Sequence, residues 1–204
     1  MSLQADTPRL VLASASVTRR TLLAAAGLRV EARTAQVDEA LLKQEARAEG
    51  LRAEDTALRL AEAKARHIAS GDPEALVIGC DQMLVCEDRW FDKPADLAEA
   101  ATQLRALRGH THTLVTAVAC LRGSQRLWHD IACPRLTMRG FSDAFIEEYL
   151  RFEGAHVTTT VGAYRLEGPG VQLFSRVEGE HAAILGLPLL PLLGFLRQQG
   201  VVLD

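Results

Sequence analysis

Two side chains that could do chemistry follow the most apolar strand-like run of the sequence. Residues 75–80 (ALVIGC) lead directly into Asp81, and the basic residue Lys93 comes soon afterwards. If the chain reverses at the acidic pair 87–88, a hairpin places Lys93 opposite or diagonal to Asp81, about 5 Å away on the same face. Such a pair keeps both groups charged. It could hold a metal or activate a water molecule, although a plain cross-strand salt bridge fits the pattern equally well.

A second lysine, Lys64, falls on the apolar face of a helix predicted over residues 55–70. The apolar residues at positions 57, 60, 61 and 68 recur at helical spacing, and Lys64 lies on the same stripe. A lysine in that position must extend its ammonium group to solvent or meet a negative partner. The segment by itself leaves both outcomes open.

The turn between the first predicted strand and helix has the composition of an anion site. Ser16 is predicted to cap a helix over residues 17–26, and Ser14 lies just before it. Hydroxyl groups and free backbone N–H groups at a helix start suit a phosphate, and Arg19 and Arg20 could offset its charge. A capped helix with two solvated arginines is the alternative. No Walker A loop or G-x-G-x-x-G motif is present, so a phosphate site would be of another type.

A glycine-rich segment, residues 162–168 (GAYRLEG), places Glu167 at a predicted bend. A carboxylate there could accept hydrogen bonds from the paired N–H donors of a nucleobase edge. Taken alone, the segment is better explained by a solvated glutamate in a turn.

The composition predicts one folded, cytoplasmic domain over residues 1–204. Apolar residues make up 48 % and charged residues 24 % of the chain, as in ordinary globular proteins. The net charge of −3 argues against a nucleic-acid partner but leaves room for a local cationic pocket. The sequence starts without a basic-then-apolar leader. Its longest apolar stretch, residues 184–196, is short for a membrane span and contains two prolines, so no membrane partner is expected.

The cysteines and histidines show no pattern of a metal site. The four cysteines contain no C-x-x-C pair and are expected to be reduced. Those in apolar, strand-like runs, and therefore expected to be buried, are Cys80, Cys86 and Cys120; Cys133 is the exception. His110 and His112 form a close pair without a third ligand nearby, so no zinc site is predicted.

The predicted elements alternate between strands and helices, which indicates an α/β fold. A strand at 8–13 precedes the helix at 17–26, and a charged stretch through 38–53 leads to the helix at 55–70. After the strand at 75–80 and its hairpin we expect a helix that is capped by Asp96 and Glu99 and ends at Gly109. Two strands should follow, at 111–122 and 126–137, joined by the turn Gly123-Ser124. The rest of the chain should form a helix from Ser142 to about 152, a β-rich stretch at 157–177 and a final helix at about 188–199.

The order of short segments along the chain is more specific than any one of them. They are LVLASASVTRRTLLAAAGL, VDE at 37–39, LAEAKA at 60–65, VIGCDQ, DKP, RGHTHTLVTAV at 108–118, GAYRLEG and ILGLPL. This ordered set resembles the Maf family of nucleoside triphosphate pyrophosphatases over nearly the whole chain. The resemblance implies an elongated, two-lobed α/β fold with a mixed twisted sheet and a central cleft, similar to the inosine triphosphatases.

The resemblance also implies an activity and its residues. A nucleoside triphosphate would be hydrolysed at the α-phosphorus to the monophosphate and pyrophosphate. The residues implied are Asp81, Lys93 and Lys64 for catalysis, Ser14, Arg19, Arg20, Gln82 and Glu167 for substrate binding, and Glu39 with Asp81 for a divalent cation, Mg²⁺ or Mn²⁺. Asp81 would act as base or orient the water, and the cationic side chains would offset phosphate charge. A homodimer is compatible with the resemblance.

The N-terminal motif departs from the usual family pattern, which affects the expected substrate. The family has S-P-R-R, or S-P-W-R-R in one branch, whereas Val17 and Thr18 occupy the positions of Pro and Arg or Trp here. The shifted arginines, Asp81-Gln82 and Glu167 resemble the 7-methyl-GTP branch, because a glutamate suits the two N–H donors of guanine. The aromatic residue that would suit a cationic base is absent, so dTTP, UTP or a broader range of nucleotides is the alternative.

A function from another class also fits the resemblance. The chain could be a nucleotide-binding regulator of cell division without catalytic activity. The carboxylates and lysines favour the enzyme, since a pure binder has no need of a base at Asp81.

Overall fold

The computed structural model describes residues 3–203. The elements, in chain order, are β1 (Leu10–Ala13), α1 (Val17–Ala25), β2 (Val30–Ala32), α2 (Glu39–Ala48), α3 (Ala53–Ala69), β3 (Leu76–Cys86), β4 (Arg89–Phe91), α4 (Leu97–Leu107), β5 (Thr111–Arg122), β6 (Gln125–Ala132), β7 (Arg135–Met138), α5 (Asp143–Glu153), β8 (Phe174–Glu178), α6 (His181–Ile184) and α7 (Leu189–Gln198). Short 3₁₀ helices occupy Gly154–Thr159, Val161–Ala163 and Pro169–Leu173. No helix within residues 3–203 is long and apolar enough to cross a membrane.

The chain divides into two compact units. The first comprises the described part of Met1–Asp81, Thr116–Ala132 and Glu180–Asp204. The second comprises Gln82–Val115 and Cys133–Gly179. The strands β3 and β5 therefore each begin in one unit and end in the other. Single-domain organisation stays a prediction.

The first unit is built on a parallel set of strands. Strand β1 pairs in parallel with both β2 and β3, with Leu10 opposite Val30 on one side and Leu76 on the other. Strand β5 pairs antiparallel with β6 in the same unit. All four residues of β1 are buried, as expected for a strand between two neighbours with helices packed nearby. The core around it is formed by Leu10, Leu12, Leu23, Leu28, Leu76, Ile78, Cys80, Val118, Cys120, Leu187, Leu192, Phe195, Leu196 and Val201.

Helix α3 packs very closely on β3, and Gly79 makes this possible. A Cβ atom at Gly79 would collide with the backbone oxygen of Ala61 and would lie 2.8 Å from the Cβ of Ala65. The small residues of α3 and the missing side chain of Gly79 let the helix and strand backbones approach. This contact lies next to Lys64 on the helix and two residues before Asp81 on the strand.

The second unit contains antiparallel strands. The turn between β3 and β4 consists of Glu87 and Asp88, whose φ angles of 48° and 63° suit a two-residue hairpin turn. The hairpin pairs Leu84 with Phe91 and Cys86 with Arg89. Strand β7 pairs antiparallel with both β5 and β8. The predicted chain reversal at 87–88 is confirmed.

Three expectations about strands were wrong. The stretch at 157–177 is not β-rich, because short 3₁₀ helices precede β8. Gly162, with a φ of 78°, interrupts one of them with a non-helical conformation, and Pro169 begins the last. The predicted strand at 126–137 is two strands, interrupted at Cys133 and at Pro134, which has no N–H group to donate. Strand β3 continues through Asp81 to Cys86, so Asp81 lies within a strand and does not end it.

The mixed α/β fold is confirmed. Parallel and antiparallel pairs both occur among the strands, and the predicted helices form within a few residues of their expected bounds. Helix α2, within the charged stretch at 38–53, was not predicted as an element. Cys80, Cys86 and Cys120 are buried and Cys133 is exposed, as expected from their surroundings in the sequence.

Candidate active site

The N-terminal turn has the predicted cap. The Ser16 hydroxyl accepts a hydrogen bond from the Arg19 backbone N–H at 3.3 Å, which fixes the start of α1. The Ser14 hydroxyl accepts one from the Ser16 backbone N–H at 3.2 Å. Ser14 is buried, directly after β1. The two serines therefore order the turn as well as presenting oxygen atoms.

Arg19 is anchored by three oxygen atoms from different parts of the first unit. Its Nε donates to the Gly186 carbonyl at 2.7 Å, and its Nη1 donates to the Ser14 hydroxyl at 3.1 Å and to the Cys80 carbonyl at 3.3 Å. Its Nη2 makes no hydrogen bond within residues 3–203. Two of the three guanidinium nitrogens are thus fixed to the protein, and Nη2 remains able to donate to an anion.

Lys64 meets two carboxylates, which settles the choice between solvation and a negative partner. Its Nζ lies 2.6 Å from Oδ1 of Asp81 and 2.8 Å from Oε1 of Glu39. Burial alone would lower the pKa of Lys64, but the two carboxylates outweigh it and hold that pKa above its ordinary value. The ammonium group therefore keeps its charge.

Asp81 is the most enclosed charged group of this cluster, with 4 % of its surface exposed. Its Oδ1 accepts from Lys64, whereas Oδ2 is buried and has no hydrogen-bond partner within residues 3–203. A buried oxygen without a partner is costly and usually marks a place for a ligand or a function. The neighbouring Cys80 thiol is not reactive, because burial raises its pKa to about 11.

Glu39 is placed by a helix start. It is the first residue of α2, and the Asp38 side chain caps that helix by accepting from the Leu41 N–H at 2.9 Å. A carboxylate in the first helical turn is stabilised by the helix dipole. About half of the Glu39 side chain is exposed, so it remains accessible while it contacts Lys64.

The carboxylates of Glu39 and Asp81 fit a divalent cation that is shared with a substrate. Both contact the same ammonium group, so their oxygen atoms lie close together. No group of three or more Asp, Glu, His or Cys side chains in residues 3–203 could hold a metal by itself. Magnesium is commonly bound by only one or two carboxylates together with substrate phosphates.

Lys93 is not placed opposite Asp81 by the hairpin ladder. The β3–β4 pairing ends at Leu84 and Phe91, and Lys93 follows two residues later with an exposed side chain. The ion-pair partner of Asp81 is Lys64. The expectation that this ladder would pair Asp81 with Lys93 was therefore wrong in its geometry, because the paired strand is too short. A catalytic role of Lys93 stays a prediction.

Glu167 lies in a turn of the second unit, as predicted, and its side chain is exposed. The preceding Arg165 makes a two-point ion pair with the buried Glu153, with Nε–Oε2 at 2.9 Å and Nη2–Oε1 at 3.1 Å. Carboxylate and guanidinium groups form their strongest contacts in this arrangement. The Tyr149 hydroxyl donates to the Ala163 carbonyl at 3.1 Å. The backbone around Glu167 is thus held by buried groups.

His112 supports the same segment from β5. Its Nε2 lies 2.8 Å from the Tyr164 hydroxyl, and both rings pack near Phe174. Burial lowers the pKa of His112 to about 4, so the imidazole is neutral at physiological pH. Its position is that of a core residue.

The remaining predicted substrate-binding residues lie apart from these contacts. Arg20 is exposed on α1. Its backbone N–H donates to the Ser16 carbonyl at 3.3 Å, and its side chain makes no hydrogen bond or ion pair within residues 3–203. Gln82 is half-buried on β3, directly after Asp81. Their roles, and that of Glu167, stay predictions.

The sequence argument missed the two carbonyl groups that hold Arg19. Gly186 belongs to the ILGLPL segment, which was part of the ordered set but had no assigned role. Cys80 was interpreted only through its thiol. Gly186 is followed by Leu187 and Pro188, and a glycine near a proline indicates a turn or loop in the backbone. No feature of the neighbouring sequence connects Gly186 to Arg19.

Comparison with known proteins shows the family of this chain. The family model "Maf-like protein" matches residues 9–199. A protein of Granulibacter bethesdensis named nucleoside triphosphate pyrophosphatase is 53 % identical over 93 % of this chain and 96 % of its own length. One of the same name from Rhodospirillum rubrum is 51 % identical over 97 % and 98 %. A Rhizobium meliloti protein named 7-methyl-GTP pyrophosphatase is 47 % identical over 96 % and 98 %.

A solved structure from Mycobacterium abscessus, titled as a nucleoside-triphosphatase or dITP/XTP pyrophosphatase, aligns with a TM-score of 0.39 and 16 % identity over 64 % of this chain and 74 % of that one. The family match and the relatives cover nearly all of the sequence. The chain belongs to the Maf family.

Proposed function

We propose that this chain hydrolyses a nucleoside triphosphate at the α-phosphorus and releases the monophosphate and pyrophosphate. The central supporting observation is the asymmetry of Asp81, whose Oδ1 is bound to Lys64 while Oδ2 is buried without a partner. The relatives with this activity in their names are about half identical to this chain.

Asp81 is the proposed base. A carboxylate fixed at one oxygen by Lys64 can accept a proton from water at the other, and enclosure limits competing solvent. The bond that forms is between water oxygen and the α-phosphorus. The bond that breaks joins the α-phosphorus to the bridging oxygen, which leaves with pyrophosphate.

Lys64 and Arg19 are proposed to offset negative charge during the reaction. Lys64 is kept charged by its two carboxylates, and Arg19 can donate from Nη2 to a phosphate oxygen. Fixed donors act without reorganisation when charge builds up on the leaving group. Lys93 and Ser14 are proposed to assist. Glu39 and Asp81 would hold Mg²⁺ or Mn²⁺, which would supply further neutralisation of phosphate charge.

The proposed substrate is 7-methyl-GTP or another modified guanine nucleotide. Glu167 can accept from the two N–H donors of guanine, and its negative charge suits a methylated, cationic base. A relative named for 7-methyl-GTP is 47 % identical to this chain. The alternative is a dTTP or UTP pyrophosphatase, or a broad-range one. We further propose a cytoplasmic location and a homodimer; a non-catalytic division regulator is the rival function.

A labelled-water assay tests the reaction. The purified protein is incubated with Mg²⁺ or Mn²⁺ in H₂¹⁸O with GTP, 7-methyl-GTP, dTTP and UTP, and the products are resolved by mass spectrometry. Attack at the α-phosphorus places ¹⁸O in the monophosphate. Label found only in pyrophosphate would contradict the site of attack, and no hydrolysis of any nucleotide would contradict the enzyme.

A further inference from the structure

The guanidinium of Arg19 is held from a distant part of the chain. Its Nε donates to the carbonyl of Gly186, which follows α6, at 2.7 Å. A hydrogen bond from a charged donor at this length is strong and directional. Because Nη1 is also bound, to Ser14 and Cys80, the plane of the guanidinium is defined by backbone and hydroxyl oxygens.

Gly186 also leaves the space that this contact needs. A Cβ atom at position 186 would lie 3.1 Å from Nε and 3.3 Å from Nη2 of Arg19. Those distances are shorter than ordinary van der Waals contact, so the guanidinium would have to move. The φ angle of Gly186 is 99°, which residues with a side chain rarely adopt. Both the conformation and the contact therefore require glycine.

The segment around Gly186 is rigid. The Gly186 and Leu187 N–H groups donate to the carbonyls of Ala183 and Ala182 at 3.0 and 2.9 Å. The buried hydroxyl of Thr116 donates to the same Ala183 carbonyl at 2.9 Å. Leu187 is fully buried in the core of the first unit. The Gly186 carbonyl is thus presented from a fixed backbone.

We infer that Gly186 is a positioning residue for phosphate recognition by Arg19. It holds the guanidinium so that Nη2, which lies beside Gly186 and makes no hydrogen bond within residues 3–203, can donate to a phosphate oxygen. The inference rests on the proposed function, in which Arg19 binds the triphosphate. Gly186 itself contacts no substrate in this proposal and acts only through Arg19.

A substitution with a matched control tests this role. Gly186→Ala should lower kcat/KM for the best nucleotide by about 10-fold, since the guanidinium has to shift by a few tenths of an ångström and a shift of about 1 Å can cost about 100-fold. It should also weaken the binding of inorganic pyrophosphate, measured by calorimetry. The control is Gly200→Ala: Gly200 also has a positive φ, 67°, but an added Cβ there meets nothing within 4 Å. That control should keep the wild-type kcat/KM.

A double-mutant cycle separates positioning from a general structural effect. In an Arg19→Ala background, Gly186→Ala should change kcat/KM and pyrophosphate affinity little further, because the group it acts on is gone. An equal fold-loss in both backgrounds would overturn the inference. Thermal unfolding of each variant shows whether the loss follows stability instead.

Nuclear magnetic resonance keeps the inference testable if Gly186→Ala does not fold. In the wild-type protein, the Nε–H of Arg19 should exchange with solvent much more slowly than that of the exposed Arg20 on the same helix. The Arg19→Lys spectrum identifies the resonance. Equal exchange for the two arginines would overturn the inference. Absence of hydrolysis in the labelled-water assay would reject the proposed function, whereas these exchange and binding measurements would still decide the role of Gly186.

Discussion

The Asp81 cluster of the first unit and the Glu167 turn of the second place their acidic groups in opposite surroundings. Asp81 is enclosed and paired with Lys64. Glu167 is exposed, although the backbone beside it is held by the buried pair of Glu153 and Arg165. In the first region the proposed reacting carboxylate is itself held by a hydrogen bond, whereas in the second only the backbone that carries Glu167 is held.

This difference indicates how sensitive each function should be. Electrostatic interactions are strong where water is excluded, so a change at Asp81 should have a large effect on the rate. A solvated carboxylate contributes less and can be exchanged for another polar group at small cost. The comparison therefore predicts that a substitution at Asp81 lowers the reaction rate strongly. A substitution at Glu167 should instead change which nucleobase is preferred.

The largest expected effect is at the enclosed carboxylate. Asp81→Asn should lower kcat by about 10²–10⁴-fold, because the amide keeps the shape but cannot act as a base. Steady-state assays of pyrophosphate release measure this. Asp88→Asn, in the exposed turn of the hairpin, is the matched control and should retain activity. A folded Asp81→Asn protein with near-normal kcat would remove Asp81 as the base.

A smaller effect is expected when the pH is lowered, because His112 contacts Tyr164 in the segment that carries Glu167. The pKa of His112 is lowered by burial to about 4, against about 6.5 for a free histidine. As the pH falls, His112 therefore binds a proton in the unfolded chain at a higher pH than in the folded protein. The stability due to the neutral imidazole is complete above pH 6.5 and is lost as the pH falls through 4. Its total is about 3 kcal/mol in the free energy of unfolding.

Urea unfolding at several pH values between 7 and 4 measures this loss. His112→Gln should flatten the pH dependence in that range. His156→Gln, which changes an exposed imidazole, should leave it as in the wild type. If the pH dependence of His112→Gln matched that of the wild type, the support of the turn would not depend on a neutral His112.

The smallest effect is expected at the exposed carboxylate. Glu167→Gln should lower the ratio of kcat/KM for 7-methyl-GTP to that for UTP by about 5–150-fold, since a base contact made at two points contributes roughly 1–3 kcal/mol. The kcat for the best nucleotide should change little. Glu147→Gln, at another exposed glutamate of the second unit, is the control. An unchanged ratio would show that Glu167 does not select the base.

Local rules were sufficient for the elements that depend on neighbours in sequence. Ser16 caps α1 as predicted, because a cap is made within three residues. The same holds for the start of α4 at Asp96 and for the turn at Glu87-Asp88. For Lys64 the local pattern left two outcomes open, extension to solvent or a negative partner, and the structure shows the second, with Asp81 and Glu39 as partners.

Contacts between distant segments could not be derived in this way. The pairing of Lys64 with Asp81 depends on the close approach of α3 to β3 at Gly79, and that of Arg19 with Gly186 joins residues 167 positions apart. The segment at 157–177 was misjudged because apolar and small residues broken by glycines fit both short strands and 3₁₀ turns. The ordered motifs identified the members of the site better than any single pattern, but they did not indicate its contacts.

The formal charges of the Asp81 cluster cancel. Two carboxylates, Glu39 and Asp81, are balanced by the ammonium group of Lys64 and the guanidinium of Arg19. Because Lys64 is held in its protonated form, it has no lone pair to offer, so in the proposed reaction the proton from water goes to a carboxylate oxygen. Lys64 and Arg19 can turn toward a triphosphate only charge that is already shared with the carboxylates, and a divalent cation bound with the substrate would supply the rest.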